Sequence, residues 1–498
     1  MTASSLVLLG IVLSSLVTGG VILFLPERKH RLRTWLNLLG AGIKMVFVVV
    51  LLKGVADGRS FEWSWTIGPG TDFALGADGN SVLFVTLSSV LWLLTTIYAV
   101  GYLEDAPNRS RFFSFFSLCV TATVGIALAA NLVTFLIFYE LLTISTYPLI
   151  VHRGTRKAIR AGRTYLVYTL SSGAVLLAAV AWLQSIAGPV DFVERGALAG
   201  VVGTHPVELK ILFAMLCVGL GVKSALVPLH GWLPKAMVAP APVSSLLHAV
   251  AVVKAGAFGI VRVVYDVYGV ETAQSLGVLK PLMIAAAFTI VYGSVRALFQ
   301  DELKKRLAYS TVSQVSYIAL GTAIVGPLAT IGGIVHLVHQ GIMKITLFFT
   351  AGNYAETLGI HRVSEMNGVG RRMPLSSLAF SIGALGMIGV PPLAGFVSKF
   401  FLKKGALAAG EEWVTLVLAA SSLLNAAYFL PILYRMWFLE PPSSWPKERS
   451  YGRLETHWML LLPPLITALL VLAAGVFADS GLSPLAWAEI IAQREYGP

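Results

Sequence analysis

The stretch GVKSALVPLHGWLPK, residues 221–235, decides how this chain is read. It follows the apolar run ILFAMLCVGLGV, places Lys223 on it, and then meets Pro228 and Pro234. Proline removes a backbone donor and clashes with the preceding turn. The carbonyls freed by such a break are tolerated at membrane depth only inside protein or along a polar cavity. A lysine taken out of water gives up its proton more readily than one in bulk. The competing reading is a long side chain snorkelling to the interface, but Lys223 lies deep in its span.

The setting is a membrane. Of 498 residues, 56% are hydrophobic and 12% are charged, where soluble domains carry about 25% charged residues. Mean hydropathy is +0.78. Long apolar runs recur from end to end, as membrane helices require; a transmembrane barrel would show short alternating strands. The predicted spans are 5–25, 34–52, 80–101, 112–130, 131–151, 164–187, 208–229, 244–264, 279–299, 307–325, 328–351, 375–400, 414–438 and 458–478. An all-α polytopic protein of about fourteen helices is expected. The first span reads as retained, because no basic stretch precedes it and no small-residue cleavage site ends it.

Basic loops fall after odd-numbered spans: ERKHRLR (27–33), HRGTRKAIRAGR (152–163), DELKKR (301–306), HRVSEMNGVGRR (361–372) and KERSYGR (447–453). Loops 53–79 and 188–207 lean acidic. This alternation predicts both termini on the outer side. The net charge of +12 therefore reports orientation and not a nucleic-acid partner. No CxxC, HExxH, GxGxxG or Walker pattern occurs, and Cys119 and Cys217 sit in apolar segments, so no metal site, cofactor or disulfide is expected.

Ionisable groups at mid-depth are costly and line polar interiors. Glu140, in NLVTFLIFYELLTISTYPLI, is the one acid in the interior of a predicted span; Glu208 stands at the first position of its own. It reads as a proton carrier or charge partner of Lys223, against a carboxylate that only clasps two helices. His248 and Lys254 share the next span, six residues apart; regular helix would put them about 240° and 9 Å apart, at successive stations. His336, Gln340 and Lys344 follow four-residue spacing on one stripe, with His339 on its flank. Imidazole shuttles protons near neutral pH; the plain alternative is helix-to-helix hydrogen bonding. Lys399 follows the Pro391–Pro392 break. Lys44 is expected to face a partner or to snorkel.

VPLHGWLPK (227–235) and PPLAGFVSK (391–399) share P-L-x-G-aromatic with lysine at the ninth place. Two such breaks, five spans apart, suggest two five-span units, the second upside down because five is odd. Paired discontinuous helices point to ion sites in transporters.

These stretches, with FYELLTISTYPL, LKKRLAYSTVSQVSY and HLVHQGIMKITLF, resemble the proton-conducting antiporter-like subunits of respiratory complex I, membrane-bound hydrogenases and multisubunit Na+/H+ antiporters. The resemblance spans nearly the whole chain, most sharply 131–401. It implies fourteen helices with two inverted five-helix repeats and broken helices 7 and 12. The segments would be 1–110 (three helices), 111–265 and 279–438 (the repeats), and 439–498 (a loop and the last helix). It implies a Glu140–Lys223 pair, Lys254 as central relay, His336, His339 and Lys344 continuing the axis, and Lys399 on the exit side. One complex I subunit type carries glutamate at that last place. Only residues 479–498 follow the last span, so the lateral arm of the largest complex I member is not expected.

Two roles follow from the resemblance: a D-type subunit of a monovalent cation (Na+)/proton antiporter, or a proton-pumping subunit of an NADH-quinone or hydrogenase complex whose redox centres lie elsewhere. A structural subunit or channel is a third. Each implies other membrane subunits as partners, protons and, in the first case, Na+ as cargo, and a cell inner (plasma) membrane location.

Overall fold

A chain this apolar crosses a bilayer only if its backbone bonds to itself, and this one does so by helices. The computed structural model describes residues 3–68, 71–104 and 106–497. The first part comprises α1 (Ala3–Leu23), α2 (His30–Ala56), strands β1 (Phe61–Gly68) and β2 (Thr71–Ala77), α3 (Gly79–Tyr102), α4 (Arg109–Leu128), α5 (Leu132–Ile150) and α6 (Arg156–Ala187). Then come α7 (Pro206–Lys223), the short α8 (Trp232–Lys235) and α9 (Ala241–Ser245), α10 (Val252–Arg262), α11 (Val270–Ser275), α12 (Leu279–Leu298) and α13 (Leu303–Ala323). The rest is α14 (Pro327–Leu358), the short α15 (Val369–Arg372), α16 (Pro374–Ile388), α17 (Ala394–Ala408), α18 (Glu412–Phe438), α19 (Trp458–Val476) and α20 (Pro484–Tyr496). Among the described residues, eleven helices are long and apolar enough to cross a membrane.

Helix ends follow their capping residues. Asn131, where the fourth and fifth predicted spans nearly touch, caps α5: its Oδ1 accepts from the Thr134 amide at 2.8 Å, and its amide donates to the Asp72 carbonyl at 3.0 Å. Asp78 caps α3 through the Ser81 amide. A side-chain oxygen here satisfies amides that have no partner within the helix. The central α14 is buried throughout its apolar window and packs against α13, α16, α17, α19 and α20.

Three expectations change. The 53–79 loop holds an antiparallel hairpin, running from Phe61 opposite Ala77 to Gly68 opposite Thr71. Phe61, Trp63 and Trp65 alternate with Glu62, Ser64 and Thr66, a strand pattern that the reading for membrane helices passed over. Lys44 neither snorkels nor faces outward. It is fully buried, donates to Ser15 Oγ at 2.7 Å and lies 4.6 Å from the Trp92 ring centre. Glu140 is also not the sole acid in the apolar helices. The helical stretch Ala241–Tyr268 runs four residues past the predicted boundary and includes the fully buried Asp266.

Asp266 belongs to a network at the hairpin end of the bundle. Arg262 donates to Asp78 at 2.6 Å and to Asp266 at 2.8 Å. Arg494, on α20, reaches Asp78 at 2.8 Å and Asp266 at 3.4 Å. The amphipathic C-terminal helix is thereby tied across the bundle end. Burial raises the Asp78 pKa, but Arg262 and Arg494 outweigh it and hold the carboxyl well below its usual range. Glu495 is the opposite case: burial, then Asp266, push it up to about 7. A raised carboxyl stabilises docking fully below its unfolded value of about 4.3, and that contribution is lost as pH rises through the folded value. Amide exchange in residues 484–496, corrected for intrinsic rates, should therefore speed up from about pH 5 to about pH 8. Glu495→Gln should flatten that dependence.

Candidate functional site

Two helix interruptions place the basic groups. α7 stops at Lys223, and helix resumes at Trp232. Trp232 Nε1 closes the break by donating to the Val222 carbonyl at 2.7 Å. The Lys223 ammonium lies 3.3 Å from the Tyr139 ring centre and donates to the Tyr139 carbonyl. Gly256 lets α10 approach this break: a Cβ there would stand 2.3 Å from the Ser224 amide nitrogen. Lys254, on the same helix, is thereby drawn into the interior beside it.

Glu140 is the residue after Tyr139, yet no ion pair to Lys223 within 4.0 Å occurs among the described residues. The ammonium takes the carbonyl and ring of Tyr139 instead. The carboxylate fits a notch at Gly173 of α6, where a Cβ would lie 2.3 Å from Glu140 Oε1. Partners on neighbouring elements without direct contact are the arrangement from which a pair can close or open.

Lys254 is fully buried and donates to the Leu337 carbonyl on α14 at 2.6 Å. His248 stacks on Phe348 of α14 with ring centres 4.4 Å apart. The two do not follow the phase of a regular helix. Residues Leu246–Val250 form a π-helical turn, and the Ala251 amide bonds back to the Leu246 carbonyl. The wider turn resets which way each side chain points, an irregularity frequent at functional sites.

The α14 residues His336, His339, Gln340 and Lys344 are all buried. His336 Nδ1 lies 2.8 Å from Ser398 Oγ on α17, and its ring stacks on Tyr317 with centres 5.0 Å apart. His339 and Gln340 are fully buried beside it. Lys344 donates to Ser310 Oγ at 2.7 Å and to the Leu307 carbonyl at 3.2 Å. Lys399 is half-buried and donates to the Met387 and Ile388 carbonyls at 2.8 and 2.9 Å. These carbonyls are free because α16 ends at Ile388.

Between Lys344 and Lys399 lies a link that sequence reasoning missed. Ser310 Oγ is 2.8 Å from the Tyr428 hydroxyl. Tyr428 donates to Asn425 Oδ1 at 2.5 Å, and Asn425 Nδ2 donates to the Met387 carbonyl at 3.1 Å. Met387 also receives Lys399. The signal was present in LAASSLLNAAYFLP (418–431): Ser421, Asn425 and Tyr428 share one face of an apolar helix at spacings of four and three. It carried no charge and so drew no notice.

The arrangement is a buried succession of basic and hydroxyl groups from α5 to α17. Residues 129–425 match the family model described as NADH:quinone oxidoreductase/Mrp antiporter, TM. The chain belongs to this family of proton-antiporter-like membrane subunits. It is 34% identical over 411 residues to the N subunit of the NADH-quinone oxidoreductase of Desulforudis audaxviator, covering 80% of this chain and 81% of that protein. It is 28% identical over 471 residues to the D-type subunit of the Na(+)/H(+) antiporter of Bacillus subtilis, covering 93% and 92%. Among solved structures it resembles a chain of the Mrp complex from Dietzia sp. DQ12-45-1b, with TM-score 0.86, 24% identity, and coverage of 100% and 98%. A chain of respiratory complex I from Thermus thermophilus gives TM-score 0.80 and 26% identity, with coverage of 99% and 100%. The antiporter-like subunit is thus an all-α, multi-pass membrane protein; its hairpin is a small exception.

Two glycines test the packing. Gly173→Ala should push the Glu140 carboxylate from its notch and lower proton transport by up to about a hundredfold, the cost of a misplacement of about 1 Å. Gly256→Ala should lower unfolding stability in detergent by about 1–3 kcal/mol, because the neighbouring backbone cannot yield cheaply.

Proposed function

We propose that this chain is the proton-translocating, D-type subunit of a multisubunit monovalent cation (Na+)/proton antiporter. The observation that carries the proton-translocating part is the file Glu140, Lys223, Lys254, His248, His336, His339, Lys344, Lys399, buried or half-buried across the bundle. The end-to-end match to the D-type antiporter protein supports the antiporter part.

The proposed topology has fourteen crossings: the eleven long apolar helices together with α7, α13 and the interrupted α16–α17 pair. α7 and α13 carry several charges, and the pair is split by Pro391–Pro392. Residues 111–265 and 279–438 form the two inverted repeats, the first three helices and the last flank them, and both termini face outward.

The cycle is electrostatic. With Glu140 close, the charged form of Lys223 is favoured. When the pair opens, the ammonium keeps only a carbonyl and an aromatic face and releases its proton. Lys254 receives it through water, the α14 stripe carries it to Lys344, and Ser310, Tyr428 and Asn425 line the way to Lys399. The partners are further membrane subunits, and the site for the exchanged cation lies among them, because Glu140 is the one acid on the axis.

A redox-driven complex is the second reading. It is favoured by the 34% identity to an NADH-quinone oxidoreductase protein. Copurified proteins decide between them: quinone-binding and iron–sulfur proteins would displace the antiporter.

For the axis itself, proton transport is measured in assembled complexes carrying Glu140→Gln, Lys223→Ala or Lys399→Ala, with subunit content checked. Each should reduce turnover about tenfold or more. Tyr428→Phe should give an intermediate loss with assembly intact. Normal turnover in the three charge variants would refute the proposed axis.

A further inference from the structure

Helix α2 carries a second polar stripe that the axis does not use. Arg33, Asn37 and Lys44 are all buried and lie at helical spacings on one face. Helix α4 answers with Ser110, Ser114, Ser117 and Thr121, all buried. Gly19 of α1 allows close approach: a Cβ there would stand 3.0 Å from the Ser114 carbonyl oxygen.

Hydrogen bonds through side chains and backbone carbonyls link most of these residues. Glu27, in a basic loop, accepts from the Ser110 amide at 2.9 Å. Arg33 donates to Ser110 Oγ at 2.6 Å, and Asn37 Nδ2 to the Arg33 carbonyl at 3.0 Å. Ser117 Oγ reaches Asn37 Oδ1 at 3.4 Å. Thr121 donates to the Ser117 carbonyl at 3.0 Å and lies 2.8 Å from Ser15 Oγ. Ser15 receives Lys44 at 2.7 Å. At the other end, Arg33 borders a cavity of about 170 Å³ with His30, Glu104, Arg109 and His457.

One further observation favours water in the file. Arg33 Nη2 and Ser114 Oγ are buried with no hydrogen-bond partner among the described residues, and such atoms commonly bind water. Lys44, about 21 Å along α2 at 1.5 Å per residue, has no carboxylate within 4.0 Å among the described residues.

The charges around it are directed elsewhere. α1 has no ionisable side chain. On α3, Tyr98 donates to the Phe349 carbonyl and Tyr102 stacks on Tyr98. On α4, Arg109 and Arg111 donate to the Glu104 and His152 carbonyls, and Cys119 contacts Ser145. On α2 itself, His30, Arg31, Arg33 and Lys53 lie in the end turns.

We propose that Lys44 is a proton-binding site at the closed end of a water file that opens at the basic-loop end through Glu27 and Arg33. Its ammonium releases a proton to water there and its amine takes one back, so its charge follows the pH of that compartment. The effect of this site on transport rests on the proton-translocating reading; its water access does not.

The test uses the assembled complex in vesicles, with Cys119 and Cys217 replaced by serine. A small water-soluble methanethiosulfonate, added at the basic-loop end, should modify Ser117→Cys at least about tenfold faster than the equally buried Val120→Cys, a difference equivalent to about 1.4 kcal/mol. Equal rates, or modification only from the opposite end, would overturn the file. Lys44→Arg, always charged, and Lys44→Gln, never charged, should shift the pH profile of transport in opposite directions. An arginine variant matching the native profile at every pH would show a permanent ammonium and overturn the titrating site. Should Glu140→Gln transport normally, the main axis falls while the thiol result still judges the file.

Discussion

Four interior ammonium groups rest on backbone carbonyls. Lys223 meets Tyr139, Lys254 meets Leu337, Lys344 meets Leu307, and Lys399 meets Met387 and Ile388. A carbonyl dipole and a hydroxyl compensate part of the desolvation cost of a charge, but they do not cancel it as a carboxylate would. Such a lysine is held in place without being committed to one charge state. The rest of the bundle is arranged so that these carbonyls exist and point inward.

The Lys399 acceptors come from a helix end, whereas Tyr139, Leu337 and Leu307 lie within α5, α14 and α13. Intact helix spends its carbonyls on amides four residues on. Where α16 stops at Ile388, two carbonyls become available to Lys399. The α7 break and the π-helical turn before α10 redirect backbone and side chains in the first half. Glycines then let the broken pieces close on their neighbours, with Gly256 against Ser224 and Gly395 against Gly386. Irregular backbone, small residues and buried charge thus form one device.

The hairpin end is built on opposite terms. There Asp78, Asp266, Arg262 and Arg494 pair directly. Direct pairing ties the C-terminal helix to the bundle. The interior keeps its charges loosely matched, and the rim keeps them locked.

Much of this was legible in the chain alone. Scarce charges and long apolar runs specified a helical membrane protein, because a bilayer admits few backbones. Lys223, Lys254, Lys344 and Lys399 stood out because ionisable groups are rare and costly in such runs. Their actual partners could not be read, because a carbonyl acceptor has no sequence signature. The Asn425–Tyr428 link stayed hidden among uncharged residues, Asp266 fell just past a boundary, and the aromatic alternation of the hairpin lay in a segment read only as loop. Lys44 shows the division most plainly. Its depth followed from spacing, but whether it met lipid, a partner or Ser15 depended on which face α2 turned toward α1 and α4. That choice belongs to packing, since helix rotation is decided by the neighbours and not by the helix itself.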